Sequence, residues 1–290
     1  MHRIAYVNGD YCPIEEARVS ILDRGFLFAD GIYEVTAVID GKLVDYPAHI
    51  ARLQRSLREI KLACPLSESA LQDVHLELMR RNGLNEGGIY LQITRGAADR
   101  DFKFPKDVPA TIVLFTQARN MVNSPDAETG IAVKTVPDIR WARRDIKSVA
   151  LLAQVLAKQA AAEAGCGEAW MIEEGGYVTE GGSSSAFILT KAGSIIARPL
   201  SNDILPGITR IAMLKLAEEM QLRIEERRFT LKEALDAAEA FNTAAGALIM
   251  PVVKIDEHVI GEGQPGPVAR RLRELYIEHA RATGIPASIG

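Results

Sequence analysis

Apolar residues along this chain switch between two spacings, simple alternation and the three-or-four-residue helical step, and each switch marks an element. Ile4 to Val7, closed by the Asn8-Gly9-Asp10 turn, and the run Gly31 to Leu43 alternate β-branched residues between turn dipeptides. Both therefore read as strands of a small antiparallel sheet joined by hairpins. Pro47 to Leu62 places Ile50, Leu53, Leu57 and Ile60 on one face with basic residues opposite, and Glu68 to Arg81 repeats the pattern, so two amphipathic helices are expected. Strands at 88–96 and 110–116 complete an α+β half.

The segment 118–130, rich in Asn, Ser, Pro and charge, is the expected linker. It divides a small N-terminal α+β domain, 1–117, from a larger C-terminal domain, 131–290. Beyond it come an expected strand at 131–136 and a helix from Ser148 to Gly165, the glycine suiting a position just past the helix end. Short strands are expected at 168–172, 177–179, 186–190, 240–242 and 252–255, with helices at 208–220, 231–237 and 270–282.

A length of 290 residues, 48% hydrophobic, suffices for the two cores this division requires. The net charge of −4, from 34 basic and 38 acidic residues, gives no footprint for nucleic acid or an anionic membrane surface, so small-molecule chemistry is favoured. Cys12, Cys64 and Cys166 are odd in number and far apart, without metal-ligand spacing, and read as reduced thiols. The start lacks a signal-peptide core, and no apolar run approaches the roughly 20 residues of a membrane span. A cytoplasmic protein is expected.

Three stretches carry candidate chemistry. Lys147 lies between apolar Ile146 and Val149 at the expected entry to a helix, beside Trp141, Arg143, Arg144 and Asp145. The bland reading is a surface lysine; the sharper one is an amine that desolvation and neighbouring cations make a Schiff-base nucleophile. Glu180, in Thr179-Glu180-Gly181-Gly182-Ser183-Ser184-Ser185, is either an ordinary turn carboxylate or the partner of a protonated pyridine nitrogen. The glycines beside it admit a flat ligand, and the serines offer donors. Gly207-Ile208-Thr209-Arg210 opens a helix, and simple capping and phosphate binding stand equally there. Together, amine, carboxylate and helix start are the anchors pyridoxal 5′-phosphate requires. The five histidines do not cluster, and no metal is expected.

These stretches resemble the fold-type IV family of pyridoxal phosphate enzymes, and the resemblance covers nearly the whole chain. Within that family the sequence is most similar to the D-amino acid aminotransferases. The similarity is carried by Asp23-Arg24-Gly25, Phe28-Ala29-Asp30-Gly31-Ile32-Tyr33-Glu34-Val35, His49-Ile50-Ala51-Arg52-Leu53, residues 89–96, Asp138-Ile139-Arg140-Trp141 and Thr179-Glu180-Gly181. It implies a two-domain fold in which Lys147 holds the cofactor and then shuttles the proton, and Glu180 faces the pyridine nitrogen. Arg52, Ile208 and Thr209 would bind the phosphate, and Leu205 would pack on the ring. Tyr33 would line the substrate pocket and Arg100 would grip the substrate α-carboxylate. Tyr90 is sheet core or pocket wall, and it joins the substrate-binding candidates.

The implied reaction moves an amino group between a D-amino acid such as D-alanine and a 2-oxo acid such as 2-oxoglutarate, in a homodimer. Branched-chain L-amino acid or (R)-amine transamination and the aminodeoxychorismate lyase reaction are the alternatives. Three departures from the pattern bear on this. Phe102 replaces a histidine, Ser185 replaces an asparagine, and Thr243-Ala244-Ala245-Gly246-Ala247 lacks hydroxyls that relatives aim at the phosphate.

Overall fold

The computed structural model describes residues 2–287, which form two compact units. The first holds residues 2–120, Ile146–Ala150 and residues 280–287; the second holds Met121–Asp145 and Leu151–His279. Two stretches numbered within 131–290 thus pack with the first unit.

The first unit contains β1 (Ile4–Val7), β2 (Asp10–Pro13), α1 (Arg24–Phe28), β3 (Gly31–Ile39), β4 (Lys42–Leu43), α2 (Tyr46–Glu59), α3 (Glu68–Asn82), β5 (Gly87–Thr94) and β6 (Thr111–Ala118). Its sheet, closed at one edge by a two-residue strand at Ile285–Pro286, is antiparallel throughout, with β3, β5 and β6 central. Asp40 and Gly41, both at positive φ (51° and 68°), make the tight β3–β4 turn in the form that matches strand twist. Ser67 accepts from the Ala70 N–H to start α3, and Gly83 closes it in the left-handed conformation. The apolar faces of α2 and α3 (Leu53, Leu57, Leu71, Leu78) bury against Ile32, Val38, Ile89, Leu91, Ile93 and Leu114. Strand alternation then turns Tyr33 and Tyr90 to the opposite face of the sheet.

The second unit contains α4 (Pro125–Thr129), β7 (Ile131–Pro137), α5 (Leu152–Glu163), β8 (Glu168–Ile172), β9 (Val178–Gly181), β10 (Ser185–Leu189), β11 (Ser194–Ala197), α6 (Ile208–Glu219), β12 (Arg223–Glu226), α7 (Leu231–Leu235), β13 (Glu239–Ala244), β14 (Leu248–Ile255), β15 (His258–Val259) and most of α8 (Pro267–Thr283), whose last residues, from Ala280, belong to the first unit; the edge strand Ile285–Pro286 of the first unit is β16. The sheet runs β12-β11-β10-β13-β14-β7-β8-β9, with β15 paired to β14. β7 and β8 are parallel with α5 as crossover, and β11 and β12 are parallel with α6 between them. Its core gathers Trp170, Phe229, Val133, Ile188 and Ile196.

The expected linker 118–130 is more ordered than its composition suggests, since it contains α4 and the buried Met121. The helix expected from Ser148 begins only at Leu152. Residues 147–149 are extended instead, because their backbone pairs with the start of β3: Lys147 C=O accepts from Tyr33 N–H (2.9 Å) and Val149 N–H donates to Gly31 C=O (3.1 Å). At the other end Gly165, at φ 69°, takes the left-handed position expected of it.

Candidate active site

In the first unit, that ladder fixes Lys147. Its amide N–H also meets Ser56 Oγ on α2 (3.3 Å), and its Nζ lies 4.2 Å from the centre of the Tyr33 ring. The cations adjacent in sequence are held by carboxylates: Arg143 forks onto Asp145 (2.9 and 3.0 Å), and Arg144 reaches Asp138 (3.6 Å) and Asp203 (3.4 Å).

Arg52, on the buried face of α2, donates from Nε and Nη2 to the two oxygens of Glu34 (2.7 and 2.8 Å), and His49 Nδ1 lies 2.8 Å from Glu34 Oε2. Burial alone would raise the Glu34 pKa. The Arg52 charge and fork, with the His49 contact, hold it far below the ordinary carboxylate range. Glu34 and His49 belong to the motifs that carry the resemblance but drew no role from sequence, since a helix-to-strand contact is silent in spacing.

On the outer face of the sheet Tyr33 stacks on Tyr90 (5.6 Å) and Tyr90 on Phe115 (4.9 Å). Tyr90 donates to Gln92 Oε1 (2.8 Å), and burial, with the nearby Tyr33, pushes its phenol up to about 12. Arg100 is exposed and lies over the rings of Phe28 (5.2 Å) and Phe102 (5.5 Å). Phe102 therefore supplies a platform for the guanidinium where a histidine would supply a donor. Among the described residues Arg100 makes no ion pair.

In the second unit, Glu180 on β9 is buried. Arg140 Nη1 donates to its Oε1, and the Leu205 N–H is shared between Oε1 and Oε2 (3.2 Å each). Burial pushes the Glu180 carboxyl up, while the Arg140 charge and these hydrogen bonds pull it back. Arg140 is itself forked onto Asp138 (Nε–Oδ1 2.9 Å, Nη2–Oδ2 2.7 Å), and Thr179 Oγ1 donates to Asp138 Oδ2 (2.6 Å). Burial would raise Asp138, but Arg140 and Thr179 outweigh it and leave the carboxyl at about 2. Asp138 and Arg140 lie in a motif that carries the resemblance but draw no role from the sequence.

Gly207 caps α6 without any side-chain hydrogen bond, and Ile208, Thr209 and Arg210 in its first turn are buried. A Cβ on Gly207 would stand 2.9 Å from Ser185 Oγ, so glycine lets the helix start lie against β10 without displacing that hydroxyl. Ser185 faces Thr243 across the β10–β13 ladder, and Thr243 Oγ1 is buried with no hydrogen-bond partner among the described residues. The 243–247 stretch, read as lacking hydroxyls, thus keeps one unsatisfied hydroxyl beside the residue that packs on Gly207. Ser183 and Ser184, expected as ligand donors, instead donate to Glu168 Oε2 (3.0 and 3.1 Å) and brace the turn.

The profile of the family described as amino-transferase class IV matches residues 31–255. The chain belongs to the class IV aminotransferases. A D-alanine aminotransferase of Staphylococcus haemolyticus is 41% identical over 277 residues, covering 94% of this chain and 97% of the relative. A D-alanine aminotransferase of Bacillus licheniformis is 39% identical over 268 residues, 92% and 93% of the two chains. Among solved structures, the T.th. branched-chain amino acid aminotransferase with pyridoxamine 5′-phosphate superimposes with a TM-score of 0.90 at 25% identity, covering 99% of both chains. The two-domain fold is accordingly that of fold type IV, and this class IV aminotransferase is a pyridoxal phosphate-dependent enzyme.

Proposed function

We propose that this aminotransferase moves the amino group of a D-amino acid, with D-alanine as the model donor, to a 2-oxo acid such as 2-oxoglutarate. The observation that carries the reading is near-full-length identity of 41% to a D-alanine aminotransferase, against 25% to the branched-chain enzyme. The residues fit the cofactor. A buried carboxylate at Glu180 suits a protonated ring nitrogen, and the uncapped α6 start with the unpartnered Thr243 hydroxyl suits a phosphate. When bound, the cofactor supplies an aldehyde for the amino group and a ring that accepts the electron pair of the substrate Cα–H bond.

Lys147 would hold the cofactor through Nζ and would carry a proton at that atom to and from the substrate Cα. Ile208 and Thr209 hold the phosphate at the α6 start. Arg52 serves the same group, its fork kept in place by Glu34. Leu205 directs its N–H at Glu180 and packs its side chain on the ring. Arg100 grips the substrate carboxylate with a guanidinium steadied by Phe28 and Phe102. Tyr33 lines the pocket, and Tyr90 supports it from behind in the aromatic stack.

A homodimer is part of this reading. Leu152, Val155 and Leu156 are 73%, 58% and 53% exposed and share one face of α5, an apolar stripe of the kind that meets another surface. We also place the protein in the cytoplasm, where the three free cysteines stay reduced; no described helix is long and apolar enough to cross a membrane. The test of substrate is a half-reaction without an acceptor. D-alanine should convert the cofactor absorbance to the pyridoxamine form; conversion by L-leucine alone would hand the assignment to the branched-chain reading.

A further inference from the structure

We propose that Arg140 is the positioning residue that keeps Glu180 a carboxylate and turns one of its oxygens, Oε2, toward the cofactor ring nitrogen; this rests on Glu180 being that nitrogen's partner. The two oxygens of Glu180 are unequally loaded. Oε1 receives Arg140 Nη1 and a share of the Leu205 N–H, whereas among the described residues Oε2 receives only the other share of that N–H, at 3.2 Å. The lone pairs left over are on Oε2, and a carboxylate accepts up to about four hydrogen bonds.

Arg140 has no freedom to drift. Its backbone N–H and Nε both donate to Asp138 Oδ1 (3.1 and 2.9 Å), and Nη2 donates to Asp138 Oδ2 (2.7 Å), with Thr179 Oγ1 (3.3 Å) and the Asp203 carbonyl (3.5 Å) beside it. Nη1 is the donor that remains for Glu180. The guanidinium is thus locked by one carboxylate so that it can orient a second.

Charge balance gives the arrangement its chemical sense. Asp138 and Glu180 bring two negative charges to one Arg140, and one remains uncompensated within the trio. The surrounding cations have other partners: Arg144 has Asp203 as well as Asp138, Arg198 has Glu173, and Arg210 has Glu226. A buried carboxylate with no counter-charge takes up a proton, and a protonated Glu180 could not keep a pyridine nitrogen charged. Held ionised by Arg140, it matches the single positive charge of a protonated ring.

The test is direct observation of that nitrogen. Apoprotein is reloaded with pyridoxal phosphate carrying 15N in the ring, and the 15N chemical shift is followed from pH 6 to 9 in the wild type, Arg140→Gln, Arg140→Lys and Glu180→Gln, with kcat and KM for D-alanine alongside. The wild-type nitrogen should stay protonated throughout and that of Glu180→Gln unprotonated throughout. In Arg140→Gln the proton that the pair shares should pass to Glu180, so the nitrogen should read as at least partly unprotonated even at pH 6. kcat should fall about 10–100-fold there, the loss typical of an outer partner of a charged ligand, with KM changed less than kcat. Arg140→Lys keeps the charge but not the fork, so it should titrate between the two; it decides the matter if Arg140→Gln fails to fold. Wild-type shift and kcat in the Arg140 variants, with the proton lost in Glu180→Gln, would overturn the role of Arg140. A protonated nitrogen in Glu180→Gln would instead overturn the Glu180 reading beneath it.

Discussion

At the residue scale, Lys147→Ala should abolish transamination and the bound-cofactor absorbance while sparing the fold, because its side chain makes no ion pair among the described residues and only its backbone joins the ladder. Retained turnover in that variant, measured with D-alanine and 2-oxoglutarate, would sink the assignment. Thr243→Val should behave differently. It removes a hydroxyl that has no partner among the described residues, so stability should hold or rise slightly, while affinity of the apoprotein for pyridoxal phosphate should fall by about tenfold if the hydroxyl serves the phosphate. Equal affinity by fluorescence titration would remove Thr243 from the site. Lys147, Glu180 and the 207–210 helix start stand out in the sequence as candidates because the chemistry proposed for them is local to short motifs. Arg140, Glu34 and Thr243 were not, because each acquires meaning from a partner on another element: Arg140 lies forty positions before Glu180, and Thr243 faces Ser185 only through strand register.

At the scale of elements, amphipathic periodicity located α2 and α3 because each has one apolar face on a sheet. It failed after Lys147, where helical spacing begins at Ser148 but the backbone bridges to Ile32 at that residue and the helix starts only at Leu152. β12, with the sequence Arg223-Ile224-Glu225-Glu226, lacks an apolar alternation and exists by parallel pairing with β11. α3 also carries an acid-sensitive group. His75 is fully buried, with Nδ1 2.7 Å from the Leu71 carbonyl, and burial lowers its pKa from 6.5 to about 4. The unfolded chain therefore binds a proton between those values that the folded protein refuses. Its contribution is present above pH 6.5 and is lost as pH falls toward 4, by up to about 3 kcal/mol at roughly 1.4 kcal/mol per pH unit. Urea unfolding at pH 7 and pH 4.5 should show this loss, and a His75→Phe variant that folds should show less of it; an identical pH dependence would refute the account.

For the whole molecule, the apolar stripe on α5 predicts an association that charge should break. A Val155→Asp, Leu156→Asp double variant should shift the protein from dimer to monomer in analytical ultracentrifugation, and a persistent dimer would move the interface off this helix. The broad division into two cores was readable from length and pattern. That residues 146–150 return to pack with the first unit was not, since nothing in their composition separates them from the helix that follows.

That return sets the reactive amine beside a β-bridge, and backbone pairing of this kind shifts in whole steps. Slippage by one residue would present Ile146 or Ser148 where Lys147 belongs and turn the amine to the other face; slippage by two would carry it about 7 Å along the strand. Small graded displacements are therefore disfavoured. Substitutions that weaken the pairing of Gly31 and Tyr33 with 147–149 should lower the number of competent molecules in a preparation, leaving each competent molecule as fast as before. Titrating cofactor-reactive lysine against total protein distinguishes such a loss of head-count from a uniformly slower catalyst.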